Sequence, residues 1–269
     1  MFKTIFFYLS VILLSSGSAS AKGTKLVLTG SSTIAPLASE MAKKFEEKHP
    51  GVRVDVQTGG SSRGVNDQRQ GLNDIGMVSR GLYPDEKDLE AFAIATDGIC
   101  IILHKSNPVK ILTSTQIVEI YTGKITNWKT VGGKDAPITV VSKAEGRSTL
   151  ELFLNYFKLK NSEVKAAVLV GDNEQDIKTI AGNRNAIGYV SIGTAEYDSA
   201  HGVPIKSLPL ENVQPTTENV RNGKFPLSRP LNLVMKSKPT GLAQEFIEFA
   251  QSKEAYPLVK DQFFIPLAK

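Results

Sequence analysis

Residues 25–41 read KLVLTGSSTIAPLASEM, which joins an apolar strand, a polar loop and the beginning of a helix. Residues 25–28 have strand character, while Leu37, Met41 and Phe45 recur every four residues, as on one face of a helix. The loop between them is rich in Ser and Thr. This order predicts a strand, a hydroxyl-bearing loop at its carboxyl end, and a helix that begins just after the loop.

The same order recurs along the chain. Strands are predicted at 52–56, 74–78, 99–103, 138–141 and 231–235, and helices at 65–70, 84–91, 150–157 and 242–251. An irregular, Pro- and Gly-rich connection is predicted at 204–230. Alternating strands and helices are typical of an α/β fold with mixed, mostly parallel sheets.

The composition is that of an ordinary globular protein, with 269 residues, 41% hydrophobic and 22% charged. The N-terminus differs, because Lys3 precedes an apolar run at 5–14 and then Ala19-Ser20-Ala21. This pattern indicates an export signal at 1–21, cleaved after Ala21, since the run is shorter than the roughly 20 residues of a membrane span. We expect a soluble periplasmic protein.

The single cysteine, Cys100, allows no intramolecular disulfide and is far from the cleavage site, so no lipid anchor is expected.

Charge and motifs exclude several classes of function. The net charge is +5 and interspersed, which does not indicate nucleic-acid binding but suits an anionic ligand. No metal-ligand, P-loop or dinucleotide motif is present, so neither a metal nor a cofactor is expected. Gly60-Ser-Ser-Arg-Gly64 does satisfy the G-x-S-x-G pattern of a serine hydrolase. Too little mature chain precedes Ser62 for the upstream hydrolase strands, so a secreted hydrolase using Ser62 is the minor alternative.

Four loops before predicted helices carry hydroxyl side chains and arginines. Backbone N–H groups at a helix N-terminus have no partner within the helix, and the helix dipole places positive charge there. Ser and Thr add hydroxyl donors, and Arg adds a planar fork of donors that matches an oxyanion. The pattern predicts a tetrahedral oxyanion in a crevice where the strands end. The loops are Ser31-Ser32-Thr33, Gly60-Ser61-Ser62-Arg63, Ser79-Arg80 and Gly146-Arg147-Ser148-Thr149.

These loops, in this order, resemble those of the periplasmic phosphate-binding proteins that deliver substrate to phosphate ABC transporters. The resemblance covers almost the whole mature chain, and its segments are specific jointly rather than singly. They are Thr29-Gly-Ser-Ser-Thr-Ile-Ala-Pro36, Gly59-Gly-Ser-Ser-Arg-Gly64, Asp74-Ile-Gly-Met-Val-Ser-Arg80, Asp97-Gly-Ile-Cys-Ile-Ile102, Tyr121-Thr-Gly-Lys-Ile-Thr-Asn-Trp128 with Val131-Gly-Gly133, Ala186-Ile-Gly-Tyr-Val190, and Phe225-Pro-Leu-Ser-Arg-Pro-Leu231.

The resemblance implies a two-lobe clamshell in which the chain crosses twice between the lobes. The first lobe would comprise 22–102 and 230–269, and the second lobe 103–229. An anion would bind in the cleft, and hinge closure over it would signal a membrane permease. The ligand-binding residues implied are Ser31, Ser32, Thr33, Ser61, Ser62, Ser79, Arg80, Arg147, Ser148 and Thr149.

Two departures from the family pattern concern specificity. Lys143 stands where the family usually has Arg, and Arg147 where it has Ser. Arg80 stands where well-known members have an Asp that accepts the proton of hydrogen phosphate. We hypothesise that Ser and Thr hydroxyls, or Glu145, take that acceptor role.

The expected function is capture of inorganic phosphate without chemistry, followed by delivery to an ABC transporter permease. A monomer is expected, because the lobes must open and close freely. The alternative within the same class is another oxyanion: a phosphonate, a phosphate ester, sulfate or a metal oxyanion. A signalling role, in which a surface partner reads ligand occupancy, also stays open.

Overall fold

A computed structural model describes residues 24–267. The predicted export signal and its cleavage site at Ala21 lie outside this range and stay predictions. Within it, no helix has both the length and the apolar character that crossing a membrane requires.

Strands and helices alternate through most of the chain, as the sequence predicts. The strands are β1 (Thr24–Gly30), β2 (Val52–Thr58), β3 (Ile75–Val78), β4 (Glu90–His104), β5 (Thr139–Lys143), β6 (Val168–Val170), β7 (Ala186–Ser191), β8 (Ile205–Leu208), β9 (Ser228–Met235) and β10 (Ile265–Pro266). The helices are α1 (Ala35–Lys48), α2 (Ser61–Gln70), α3 (Ser114–Tyr121), α4 (Ser148–Phe157), α5 (Asn173–Gly182), α6 (Ile192–Ala200), α7 (Thr217–Arg221), α8 (Gly241–Ala250) and α9 (Tyr256–Asp261). Short 3-10 helices lie at Trp128–Val131, Asn161–Glu163 and Lys253–Ala255.

The sheet is mixed, with the strand order β2-β1-β3-β9-β4-β7-β5-β6, and β8 and β10 also pair with β4. Parallel pairings join β2, β1 and β3 at one end and β6, β5 and β7 at the other. The central strands β4 and β9 run antiparallel to their neighbours. Antiparallel pairing is therefore as prominent as parallel pairing, because the direction of the chain alternates from β3 to β9, from β9 to β4 and from β4 to β7.

Two hydrophobic clusters divide the molecule into lobes. The first lobe takes its buried side chains from 26–95 and 231–264, and the second lobe from 99–227 together with Ile265. Strand β4 belongs to both, since its first part pairs with β9 and its second part with β7 and β8. The chain thus passes between the lobes along β4 and again where β9 begins.

Residues 84–91 form turns and the start of β4, so the prediction of a helix there is wrong. The Glu86 carboxylate accepts a hydrogen bond from the backbone N–H of Tyr83 and binds Arg80, which folds the segment back on itself. The connection predicted at 204–230 is also more regular than expected, because it contains β8 and α7. At 84–91, side-chain contacts that the apolar spacing does not encode therefore outweigh the helical pattern.

Gly64 lets α2 pack directly against the sheet. A Cβ at this position would lie 2.9 Å from the carbonyl oxygens of both Met77 and Thr29. These oxygens belong to β3 and β1, which cannot move aside without disturbing the sheet. The absence of a side chain therefore fixes how close the N-terminus of α2 comes to the ends of these strands.

We predict that Gly64→Ala destabilises the protein by about 1–3 kcal/mol, because overpacking must push α2 off the sheet. Urea denaturation measures this change in the free energy of unfolding. Gly182→Ala is the matched control, since nothing lies within 4 Å of a Cβ at that position. Equal stability of the Gly64 variant and the wild type would show that α2 is not held by this contact.

Candidate anion-binding site

The N-termini of α2 and α4 meet across the cleft between the lobes. The backbone N–H of Ser62 donates to the carbonyl oxygen of Gly146 over 3.2 Å. Gly60 permits this approach, because its φ is +94° and a Cβ there would lie 2.4 Å from the same oxygen. The positive ends of two helix dipoles, one from each lobe, therefore face one crevice.

A buried ion pair lies where the chain crosses between the lobes. Asp97 on β4 and Arg229 on β9 are opposite each other in the strand register. Arg229 donates through Nε and Nη2 to Asp97 Oδ2, over 3.0 and 2.8 Å. The second carboxylate oxygen accepts from the backbone N–H of Gly193, at the start of α6, over 3.2 Å. The pair is therefore anchored on both lobes.

Arg229 also donates to three side-chain hydroxyls, two before helices of the first lobe or in its loops and one in the first turn of α4. Its Nη2 lies 3.2 Å from Thr33 Oγ1, and its Nη1 lies 3.1 Å from Thr149 Oγ1 and 3.4 Å from Ser79 Oγ. Thr33 and Ser79 belong to the first lobe, and Thr149 to the second. All three side chains are buried. We call Thr33, Ser79, Thr149 and Arg229 the hydroxyl cluster.

The hydrogen-bond partners of two of these hydroxyls leave them able to donate a further hydrogen bond but not to accept one. Thr33 Oγ1 accepts from Arg229 and also from Asn173 Nδ2, at 3.2 Å. Ser79 Oγ accepts from Arg229 and from the hydroxyl of Ser31, at 2.9 Å. A hydroxyl oxygen has two lone pairs and one proton. With both lone pairs used, each of these groups can only donate.

Further polar groups support the hydroxyl cluster. Ser61 Oγ accepts from the backbone N–H of Ser79 over 3.1 Å, which ties the second loop to the third. Ser148 Oγ and Arg147 Nε are buried and have no hydrogen-bond partner in the described part of the chain. Ser32 lines a cavity of about 320 Å³ between α1 and α5, and Asn173 lines its other side. Asn173 also donates to Thr33 Oγ1, so one side chain links the cavity wall to the hydroxyl cluster.

Two residues that the sequence predicts in the anion site, Arg80 and Ser62, have carboxylate partners. Arg80 donates from Nη1 and Nη2 to Glu86, over 2.7 and 2.8 Å, and from Nε to Glu151, over 2.8 Å. Ser62 Oγ donates to the other oxygen of Glu151 over 3.0 Å. Burial by itself lowers the pKa of Arg80, but hydrogen bonds and charge from Glu86 and Glu151 outweigh it and raise the pKa above its ordinary value.

Lys143 forms an ion pair with Asp176 in the interior of the second lobe, and both side chains are almost fully inaccessible to solvent. Burial lowers the pKa of Lys143 and raises the pKa of Asp176, although each partner opposes the shift of the other. Each ion therefore needs the other to offset the cost of burying its charge. Lys143 is used inside its lobe and offers no free cation to the cleft.

Glu145 is exposed and accepts from Asn161 Nδ2 over 2.8 Å. The structure does not bring it to the hydroxyl cluster, which leaves Ser and Thr hydroxyls as the remaining group in our acceptor hypothesis. Trp128 is buried and donates to the carbonyl of Asn185, in the core of the second lobe.

Sequence reasoning missed Arg229, Asp97, Asn173 and Glu151 as site residues. Asp97 and Arg229 do lie in two of the segments that carry the family resemblance, which is a usable signal. Their pairing, across 132 residues of chain, depends on strand register and has no local signature. Asn173 and Glu151 lie in the first turns of helices that look ordinary in sequence.

The geometry does not favour hydrolase chemistry at Ser62. Its hydroxyl donates to a carboxylate, whereas His104 contacts Ser106 and His201 contacts the carbonyl of Tyr197. The nucleophile of a serine hydrolase needs an adjacent base, most often a histidine.

Two lobes joined by crossing strands, with a polar crevice between them, define a periplasmic binding protein. The profile of the PBP superfamily domain matches residues 15–254 of this chain. The predicted two-lobe α/β fold is thereby confirmed.

Relatives narrow the class further. The phosphate-binding protein PstS of Bacillus subtilis (strain 168) is 31% identical over 264 residues, which are 94% of this chain and 85% of the relative. A phosphate-bound structure of a phosphate ABC transporter substrate-binding protein from Clostridium perfringens is 36% identical, with a TM-score of 0.84, and covers 91% of this chain and 100% of its own. An ABC-type phosphate transport receptor from Vibrio cholerae is 32% identical, with a TM-score of 0.74 and the same coverage. The chain belongs to the PstS family of the PBP superfamily, which confirms the resemblance indicated by its motifs.

We predict that Lys143→Met destabilises the second lobe by about 3–5 kcal/mol, because it leaves the Asp176 carboxylate buried and unpaired. Adding Asp176→Asn removes that charge and recovers a large part of the loss. Denaturation in urea, followed by circular dichroism, gives both values.

The matched control is the exposed ion pair of Lys129 and Asp135, in which both side chains are at least 70% exposed. Lys129→Met should cost less than about 1 kcal/mol. If Lys143→Met lowered the free energy of unfolding no more than Lys129→Met, the buried ion pair would not stabilise the second lobe.

Proposed function

We propose that this protein captures inorganic phosphate in the cleft between its lobes and delivers it to an ABC transporter permease. The named relatives from Bacillus, Clostridium and Vibrio support the ligand and the transport role. The observation on this chain that carries the proposal is the hydroxyl cluster, in which Arg229 and its neighbours fix Thr33 and Ser79 as donors.

A site made of donors suits an oxyanion, because ionised phosphate oxygens only accept hydrogen bonds. Thr33 and Ser79 would donate from the first lobe, and Ser148, Thr149 and the first backbone N–H groups of α4 from the second. The positive charge of Arg229 is largely balanced by Asp97, with which it is paired. Phosphate would therefore be held by hydroxyls, helix N-termini and Arg147, whose Nε is buried without a partner among the described residues, while Arg229 positions the hydroxyls.

Discrimination between phosphate and sulfate requires an acceptor for the proton of hydrogen phosphate. Thr149 Oγ1 accepts one hydrogen bond, from Arg229, which leaves one lone pair. We assign the acceptor role to this hydroxyl. Sulfate, which carries no proton at neutral pH, would leave that lone pair facing an anionic oxygen.

The setting follows from the family and the predicted export signal. We propose that the chain is exported, cleaved after Ala21 and active in the periplasm as a monomer. Its moving parts would be the lobes predicted from the sequence, 22–102 with 230–269, and 103–229. The hinge would lie where β4 and β9 pass between the lobes. No chemical step is part of this function, since capture needs only closure and release.

We predict that the wild-type protein, freed of ligand by unfolding and refolding, binds phosphate one-to-one in calorimetric titration and binds sulfate more weakly. Thr149→Val keeps the shape of the side chain but removes the hydroxyl. It should weaken phosphate binding by about 10- to 100-fold, the effect of one hydrogen bond to an anion, and narrow the preference over sulfate.

Thr179→Val is the control, because the Thr179 hydroxyl donates within α5 to the carbonyl of Gln175. It should bind phosphate like the wild type. Heat from another oxyanion and none from phosphate would favour the alternative ligand class. Unchanged phosphate affinity in Thr149→Val would place the site away from the hydroxyl cluster.

A further inference from the structure

Glu151 receives three hydrogen bonds from the opposite lobe. It lies in the first turn of α4, in the second lobe, and its donors are Ser62, Arg80 and Tyr83, all from the first lobe. The distances are 3.0 Å from Ser62 Oγ to Oε1, 2.8 Å from Arg80 Nε to Oε2, and 3.0 Å from the Tyr83 hydroxyl to Oε2. No other carboxylate in the described residues 24–267 accepts this many side-chain bonds across the cleft.

The first lobe holds Arg80 ready for this contact. Glu86 binds both terminal nitrogens of the guanidinium, and the carbonyl of Gly81 accepts from Nη1 over 2.9 Å. The Tyr83 ring stacks on the guanidinium, with its centroid 3.7 Å from the central carbon. These partners fix the plane of Arg80 from within one lobe. The Nε donor is then directed at Glu151 on the other lobe.

Tyr83 is a dependable donor in this arrangement. Burial, together with the charge of Glu151, raises the pKa of Tyr83 to about 12, so its hydroxyl keeps its proton. Because Arg80 is charged over the same range, all three donors are present at any physiological pH.

We propose that Ser62, Arg80, Tyr83, Glu86 and Glu151 form an interlobe latch that sets the balance between open and closed lobes. Glu151 is its positioning residue, and it touches no part of the bound anion. The proposal rests on the proposed function, because the latch acts on the capture of phosphate. It also gives Arg80 a role different from the anion contact implied by the family resemblance.

The latch and the anion site share α4. Ser148 and Thr149 begin the helix, and Glu151 follows within the same turn. Bringing the helix N-terminus to the anion therefore also brings Glu151 to Arg80. Apparent affinity depends on the fraction of protein in the closed, binding-competent state. Weakening the latch should lower affinity without removing any contact to phosphate.

Interlobe distance in the absence of phosphate tests the latch directly. Spin labels on Lys43→Cys in α1 and Lys129→Cys in the second lobe report the separation, since both side chains are exposed. Cys100 is buried, and burial raises its pKa to about 12, so labelling is confined to the introduced thiols. In Glu151→Gln we expect the ligand-free distribution to shift toward longer distances.

Phosphate kinetics give the second readout. Glu151→Gln should raise the phosphate dissociation rate about tenfold and leave the association rate within about twofold, because the closed state is lost more easily. Tyr83→Phe, which removes one donor and no charge, should shift both readouts in the same direction by a smaller amount. Glu218→Gln is the control, since Glu218 pairs with Arg221 on the surface of the second lobe.

The outcomes separate the two proposals. Wild-type protein that binds no phosphate refutes the proposed function, while the label distances still report on the latch. Distances and dissociation rates in Glu151→Gln that equal those of Glu218→Gln would overturn the latch. Tyr83→Phe keeps the latch testable even if Glu151→Gln fails to fold, because it leaves the ion pairs of Arg80 intact.

Discussion

The ion pair of Asp97 and Arg229 is the interaction on which the site depends. It lies at the crossing of β4 and β9, with each side chain about 1% exposed. Ions this deep in a protein persist only when paired and hydrogen-bonded, and here a helix N–H and three hydroxyls complete their partners. Removing the carboxylate would leave the guanidinium buried without its counter-charge. The same pair therefore links the two lobes and orients the hydroxyls that we propose face the anion.

Most buried charged side chains near the cleft form ion pairs that stabilise the structure. Arg80, Lys143 and Arg229 are all buried, and each is paired with a carboxylate of its own. In the proposed site, what remains for the ligand is a set of hydroxyls, backbone N–H groups and Arg147, whose Nε has no partner among the described residues. Neutral donors hold an anion without the desolvation cost of a free buried cation. They can also discriminate by the direction of their protons, which a point charge cannot.

Features of the fold that depend on local sequence pattern could be predicted from the sequence alone. Alternating strands and helices and the loops rich in Ser and Thr follow from spacing and residue type. The helix predicted at 84–91 failed because Glu86 is engaged by Arg80, a contact between side chains that no periodicity encodes. The pairing of Arg229 with Asp97 could not be predicted either, because it depends on the register of two strands distant in sequence. Family motifs pointed to both segments without revealing what their charged residues do.

A crystal structure of the phosphate complex would show which groups hold the anion. We expect phosphate oxygens at hydrogen-bond distance, about 3 Å, from the hydroxyls of Thr33 and Thr149, with Arg229 still bound to Asp97. Arg80 should remain on Glu86 and Glu151. Phosphate bound by the Arg80 guanidinium, with its carboxylates displaced, would show that Arg80 is an anion ligand and not part of the latch. An Arg229 side chain that had left Asp97 to bind the anion alone would show that the ion pair does not orient the hydroxyls.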